Sequence, residues 1–193
     1  MTRDPNAEAY KVLRGFWTRF RRFVKGQLVA HYGSEWEEEG LPESIRNSCT
    51  KHRDDRDPTR RGGWVSVEAE SLLDFAFDEH LREIIEVDAN WNGIFKHFFG
   101  ANKSLINGDL HRICLVRDEV AHWRPVTWKQ VRELRAWCEG ITGCVARAAT
   151  IRCEWLARFP PMLPLAASFA GWRVGKRQLV YPWCPSPIFN RFP

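Results

Sequence analysis

Arg117 and His122 stand five residues apart in the stretch ICLVRDEVAHW, which runs from Ile113 to Trp123. On a helix turning about 100° per residue, Ile113, Val120 and Ala121 lie within roughly 60° of Arg117. A permanent charge therefore occupies the middle of a packing stripe. Three explanations are open. The arginine snorkels, burying its stem and wetting its head. It pairs with an internal carboxylate, although its own helix offers no suitably placed acid. Or the stripe faces a second protomer, and the guanidinium lines a polar cleft between subunits. The third also accounts for His122, whose imidazole titrates nearest neutral pH.

An arginine and a histidine aimed into one cleft suit cleavage of RNA by its own ribose 2′-hydroxyl. Imidazole moves the protons, and guanidinium stabilises the charge that develops on the phosphorane. Such a reaction needs no metal or other cofactor, and none is expected. Residues five apart diverge by about 140° on an ideal helix, so convergence requires distortion near Pro125 or contributions from two protomers.

The elements that must position these residues read as helices. Leu13, Phe16, Trp17, Phe20, Phe23, Val24 and Leu28 form one stripe of a helix over Ala9 to His31, with Pro5 suited to its start and Gly33 to its end. A short helix follows Pro42, and KHRDDRDPTRRGG reads as a charged surface loop. Asp78 is placed to cap a helix carrying Leu81, Ile84 and Ile85, and WNGIFKHFF stops at Gly100. Asn107-Gly108 signals a turn, after which Asp109 caps the helix of Arg117. Thr127 and Gln130 have the spacing of a capping box for a last helix, which Gly140 and Gly143 are placed to kink. The prediction is an all-α bundle of four to five main helices over residues 7–157, with a Pro/Trp-rich C-terminal arm over 158–193 in which RQLVYPW forms one short strand.

The 193 residues carry a formal charge of +5, and the charge is unevenly spread. Arg14, Arg19, Arg21, Arg22 and Lys25 crowd the first helix, the segment from Glu68 to Asp88 is acidic, and Glu154 is the single acid after Ile141. That pattern suits RNA-facing surfaces or a complementary contact between protomers, and equally suits solvated helix faces. The six cysteines form no CxxC pair, which excludes the commonest zinc modules and fits a reducing cytoplasm; Cys138, Cys144 and Cys153 read as packing residues. No apolar run reaches the length of a membrane span. His31, His80, His97 and His111 read as structural.

LVRDEVAHW resembles the signature of the HEPN superfamily (higher eukaryotes and prokaryotes nucleotide-binding): Arg, four to six residues, then His, with a polar residue after the Arg and often Ala-His at the end. Arg117, Asp118 and the pair Ala121-His122 occupy those places. Upstream, HYGSEWEEEGLPESI and LLDFAFDEHLREIIEVDANWNGIF look like the HEPN domain that accompanies the PIN-type endoribonuclease of nuclear mRNP surveillance, with relatives among bacterial toxin and phage-defence proteins. The likeness spans about residues 10–140. It implies an all-α homodimer with a composite cleft and, in active members, metal-independent RNA cleavage. Arg117 would hold the phosphate, His122 transfer protons and Asp118 orient them. Asp118 departs from the Asn that many active members carry there.

Arg112 and Arg124 are candidate RNA-backbone contacts. RNSCTKH, with Arg46 and His52, is a rival for the motif, but it lacks an apolar framework and better suits basic RNA contacts. Two functions follow: a toxin or antiviral defence ribonuclease, or a non-catalytic module that binds RNA and scaffolds a larger complex. A protein partner or inhibitor is compatible with either.

Overall fold

A computed structural model describes residues 4–55 and 71–158, with side chains as far as residue 148. Among these residues every regular element is helical, which bears out the all-α prediction. The predicted arm beyond Arg158, its strand and residues 56–63 of the charged loop lie outside the described residues; residues 51–55, expected to begin that loop, are instead the last turn of a helix. Contacts divide the chain into 1–151 and 152–193. The account below concerns the first unit.

Helix α1 spans Pro5–Tyr32. Asp4 caps it, its carboxylate accepting from Asn6 N at 3.0 Å, and Pro5 needs no N–H partner in the first turn. Its predicted stripe is buried in full, and Gly33 ends it at φ +65°. A 3₁₀ turn at Gly33–Glu35 and the short α2 (Trp36–Glu39) lead to α3 (Glu43–Asp55). Both Arg46 and His52 therefore lie within a helix of 13 residues. A 3₁₀ turn at Leu72–Phe75 precedes α4 (Asp78–Glu86), which buries Leu81, Ile84 and Ile85 as predicted. Then α5 (Asp88–Asn90), a π-helical turn (Trp91–Phe95) and α6 (Lys96–Phe99) form one winding run that Gly100 stops at φ +79°.

Helix α7 spans Lys103–Ala121 and α8 spans Trp128–Arg158. Two sequence expectations fail here. Asn107-Gly108 is no turn, and Asp109 is no cap. Asn102 caps α7, accepting from Leu105 N at 3.1 Å, while Asp109 sits mid-helix and pairs with Arg112 at 2.9 Å. Burial of Ile106 and Leu110 extends the apolar face backward and outweighs the roughly 1 kcal/mol that glycine costs inside a helix. Helix α8 runs through Gly140 and Gly143 without a break. The Thr127–Gln130 box does form: Thr127 N donates to Gln130 Oε1 at 2.8 Å, and Gln130 N to Thr127 Oγ1 at 3.3 Å.

The core lies where α1 and α4 pack on α7, and Val131, Leu134, Cys138 and Ile141 of α8 join it. Phe16, Trp17, Phe20 and Phe23 form an aromatic row along α1, which continues into Phe95, Phe98 and Phe99. Among the described residues the buried polar side chain is Asn90, 1% exposed. Its Nδ2 donates to Gly40 O and Ile84 O, each at 2.8 Å, and its Oδ1 accepts from Tyr32 Oη at 2.8 Å. One amide thus ties α1, the end of α2 and α4 to the π-helical run. Asn90→Leu removes the donor from two buried carbonyls, Gly40 O and Ile84 O, and each such group left unpaired costs about 1–3 kcal/mol. The expected loss is roughly 2–5 kcal/mol in urea unfolding; a loss below 1 kcal/mol would show that the amide is not the tie.

Candidate functional site

Arg117 does lie on the packing side of α7, with its side chain 26% exposed, and it neither snorkels freely nor stands unpaired. Its Nη2 donates to Glu79 Oε1, its Nη1 lies 2.8 Å from Asp118 Oδ1, and its Nε is 3.5 Å from Asp78 Oδ2. Two of these carboxylates come from the first turn of α4, across the helix interface. Asp78 also faces Arg21 of α1, whose Nη2 lies 3.4 Å away and donates to Ala76 O at 2.9 Å. The internal-carboxylate explanation therefore holds within one chain. The sequence left this explanation open but expected no suitable acid on the same helix; Asp118 is one, and the other two come from α4, where Asp78, expected to be the cap, is instead the first helical residue after Phe77.

Three carboxylates and two guanidiniums make this cluster formally negative. Burial pushes the Asp78 carboxyl above the usual range; Arg117 and Arg21 oppose the shift, while Glu79 and Asp118 add to it. Two buried thiols are suppressed as well, Cys114 beside the cluster and Cys138 on α8. Burial, with Glu79 adding, pushes Cys114 up to about 11, and burial pushes Cys138 up to about 12. A thiolate is disfavoured at both positions at neutral pH, and among the described residues no group of three or more His, Cys, Asp or Glu is placed to hold a metal ion.

His122 is elsewhere on the surface. It is the exposed C-cap of α7, its N–H bonded to Asp118 O at 3.0 Å. Helix geometry holds as far as Ala121, so no distortion turns Arg117 and His122 toward each other within one chain. The next residues close the helix as a Schellman turn, with Trp123 N donating to Val120 O at 3.2 Å and Arg124 N to Glu119 O at 2.9 Å. Trp123 takes the left-handed position at φ +58°, usually given to glycine; for a side-chain-bearing residue it costs roughly 1–2 kcal/mol. Asn6 of α1 clips the turn in place: its Nδ2 donates to Arg124 O at 2.8 Å and its Oδ1 accepts from Val126 N at 2.9 Å.

The remaining predicted contacts are dispersed. Arg112 is exposed, pairs with Asp109, and places its guanidinium carbon 5.8 Å from the Trp137 ring centroid. Arg124 pairs with Glu119 at 3.1 Å. Arg46 and His52 sit on α3, away from this helix end. The His52 ring packs edge-on against Phe77 at 4.7 Å. Phe77 also adjoins His80, whose Nδ1 accepts from Phe77 N at 3.2 Å. Burial lowers the His80 pKa.

Two outcomes check this electrostatic picture. A carboxyl raised in the folded state is protonated there while already ionised in the unfolded chain, so stability falls as pH rises from 3.8 to the folded pKa. Asp78→Asn should therefore gain stability relative to wild type across that window in urea titrations at stepped pH. A constant difference would contradict the assignment. Cys114 and Cys138 should stay unlabelled by iodoacetamide at pH 8 in the folded protein and react on unfolding, as read by peptide mapping; rapid native labelling would show that they are not suppressed.

No family model, curated protein or solved structure matches the chain.

Proposed function

We propose that the protein is a metal-independent endoribonuclease of the HEPN type, working as a homodimer in the cytoplasm as a toxin or antiviral defence effector. The observation that supports this most is the placement of Arg117 and His122. Both side chains reach the surface from the last turns of one regular helix, yet point apart, an arrangement that suits a cleft completed by a second copy.

In that cleft His122 of one protomer takes the proton from the ribose 2′-hydroxyl. The oxygen attacks the adjacent phosphorus, and the bond to the 5′-oxygen breaks. The imidazolium so formed gives that proton to the leaving oxygen, so the products are a 2′,3′-cyclic phosphate and a 5′-hydroxyl and His122 returns to its starting form. Arg117 of the facing protomer balances the charge on the phosphorane. Asp118, at 2.8 Å from its Nη1, is a positioning residue. Arg112, Arg124, Arg46 and His52 are exposed or half-buried sites for backbone contact, which would make binding salt-dependent.

One observation favours the second reading, a non-catalytic RNA-binding or scaffolding module. The carboxylates of Asp78, Glu79 and Asp118 already surround Arg117, and a phosphate must compete with them.

Cleavage of total and transfer RNA in excess EDTA separates the two. Wild type should leave 2′,3′-cyclic phosphate ends, and His122→Ala should cut roughly 10²- to 10⁴-fold more slowly. Because His122 is exposed, the variant should melt as wild type does. Cleavage at an undiminished rate would remove His122 from the mechanism. A folded dimer that binds RNA without cutting it would establish the scaffold reading.

A further inference from the structure

From Ala9 to Tyr32 helix α1 contains six Lys or Arg and no acid. Arg21 turns toward the protein, to Ala76 O and Asp78. The other five, Lys11, Arg14, Arg19, Arg22 and Lys25, have no ion pair or hydrogen bond through their side chains among the described residues. Elsewhere on the surface cations are matched: Arg82 meets Glu86, Arg112 meets Asp109 and Lys129 meets Glu133. The acids that border α1 are already engaged, Asp78 by Arg21 and Arg117, and Glu8 by Arg135.

Helix geometry gathers these charges on one side. At about 100° per residue, Lys11, Arg14, Arg22 and Lys25 fall within an arc of roughly 80°, opposite the buried stripe, with Arg19 about 60° beyond Arg22. The run from Lys11 to Lys25 extends along about 21 Å of one unbroken axis. Small residues lie between the cations, and a Cβ added at Gly26 would meet nothing within 4 Å. Lys11 with Arg14, Arg19 with Arg22, and Arg22 with Lys25 are like charges three apart, a spacing that weakens a helix. The stripe therefore works against the fold instead of supporting it.

Such a face needs an anion, and its composition restricts the kind. Residues 56–70 carry three Lys or Arg and three acids, and residues 149–193 carry six and one, so neither stretch has an excess of acid to neutralise it. A protein interface needs an apolar or aromatic centre, which this arc lacks. A helix lying on a membrane inserts its apolar face, and that face of α1 is buried in the core. Single strands are held largely by stacking bases on aromatic rings, which are also absent from the arc. A nucleic-acid duplex requires none of these. It presents about one phosphate charge per 1.7 Å of its axis, roughly twelve along 21 Å, already fixed in a stiff array.

We propose that the outer face of α1 is a docking surface for double-stranded nucleic acid, held through its phosphates without regard to base sequence and in RNA and DNA alike. The surface does not involve Arg117 or His122, and it stands or falls independently of the ribonuclease reading.

Binding is measured by fluorescence anisotropy with labelled 16-base-pair duplexes of DNA and of 2′-O-methyl RNA, which lacks the attacking hydroxyl, and with a 16-nucleotide single strand. Both duplexes should bind more tightly than the single strand. Their affinity should fall roughly 10²- to 10³-fold between 50 and 200 mM KCl, the salt dependence of about five phosphate contacts. Arg22→Gln with Lys25→Gln should lower the salt slope by about two and weaken duplex binding roughly 10- to 200-fold at 50 mM KCl. The same change of net charge at the exposed Lys51 and Lys96, each to Gln, should leave duplex binding near wild type. Because the α1 substitutions relieve repulsion, their melting temperature should equal or exceed that of wild type. Equal losses from the two double variants would reduce the effect to net charge and overturn the docking surface. So would a single strand that binds as tightly as the duplexes, or a wild-type protein that binds no duplex. Binding to phosphatidylserine vesicles that the α1 variant abolishes, with duplex binding unmoved, would assign the face to a membrane instead. Dissociation of a dimer by that variant without nucleic acid would assign it to a second copy, and either result would overturn the proposal.

Discussion

A guanidinium on a packing face must bring carboxylates with it, and much of this bundle is arranged around that requirement. Arg117 cannot lose its charge within the range of protein stability, so partial burial is tolerable only with acids in reach. Asp78 and Glu79 supply them from the first turn of α4, and Asp118 from the same helix. Asp78 in turn faces Arg21, which couples α1 to the contact between α4 and α7. These are the same three helices whose apolar faces form the centre of the core. Hydrophobic packing brings them together, and the ion cluster favours the register in which the charges meet.

The cluster also bears on the proposed function. Carboxylates present the same bidentate oxygen geometry to a guanidinium as a phosphate does. An arginine already held by them is preorganised, with little side-chain freedom left to lose, but its field is partly cancelled. In the proposed ribonuclease, catalytic use of Arg117 would therefore depend on what a second protomer adds. Regularity of α7 through Ala121 has the same consequence, because it leaves His122 on a different bearing. Both features point to assembly as the step that would complete a site.

Much of the fold was legible because the helices obey one period. The stripe from Leu13 to Leu28 repeats without conflict and is bounded by Pro5 and Gly33, so all of its buried residues except Ala9, one turn earlier, could be named. Thr127 with Gln130 was readable for a similar reason, since both halves of that capping box are local. Where local and tertiary signals disagree, burial wins: Asn107-Gly108 looks like a turn but lies among Ile106, Leu110 and Ile113, which need a helix. The candidate site was legible only in part. Arg117 stood out as a charge in an apolar stripe, but its bond to Glu79 spans 38 residues, a pairing that no local pattern carries. Trp123 was hidden for the opposite reason. Nothing in its type suggests a left-handed helix end, so the strain is visible only in the backbone.

Whether Arg117 and His122 act across two copies is the point on which the functional reading turns, and mixing two inactive variants tests it directly. Arg117→Ala and His122→Ala, carried on differently tagged chains, are unfolded together and refolded into mixed dimers that are purified through both tags. If each cleft takes its arginine from one chain and its histidine from the other, one of the two clefts in the mixed dimer is intact. RNA cleavage should then return to about half the wild-type rate, since one cleft of two is restored. Mixed dimers that cut no faster than either variant alone would show that the two residues do not share a cleft across the interface.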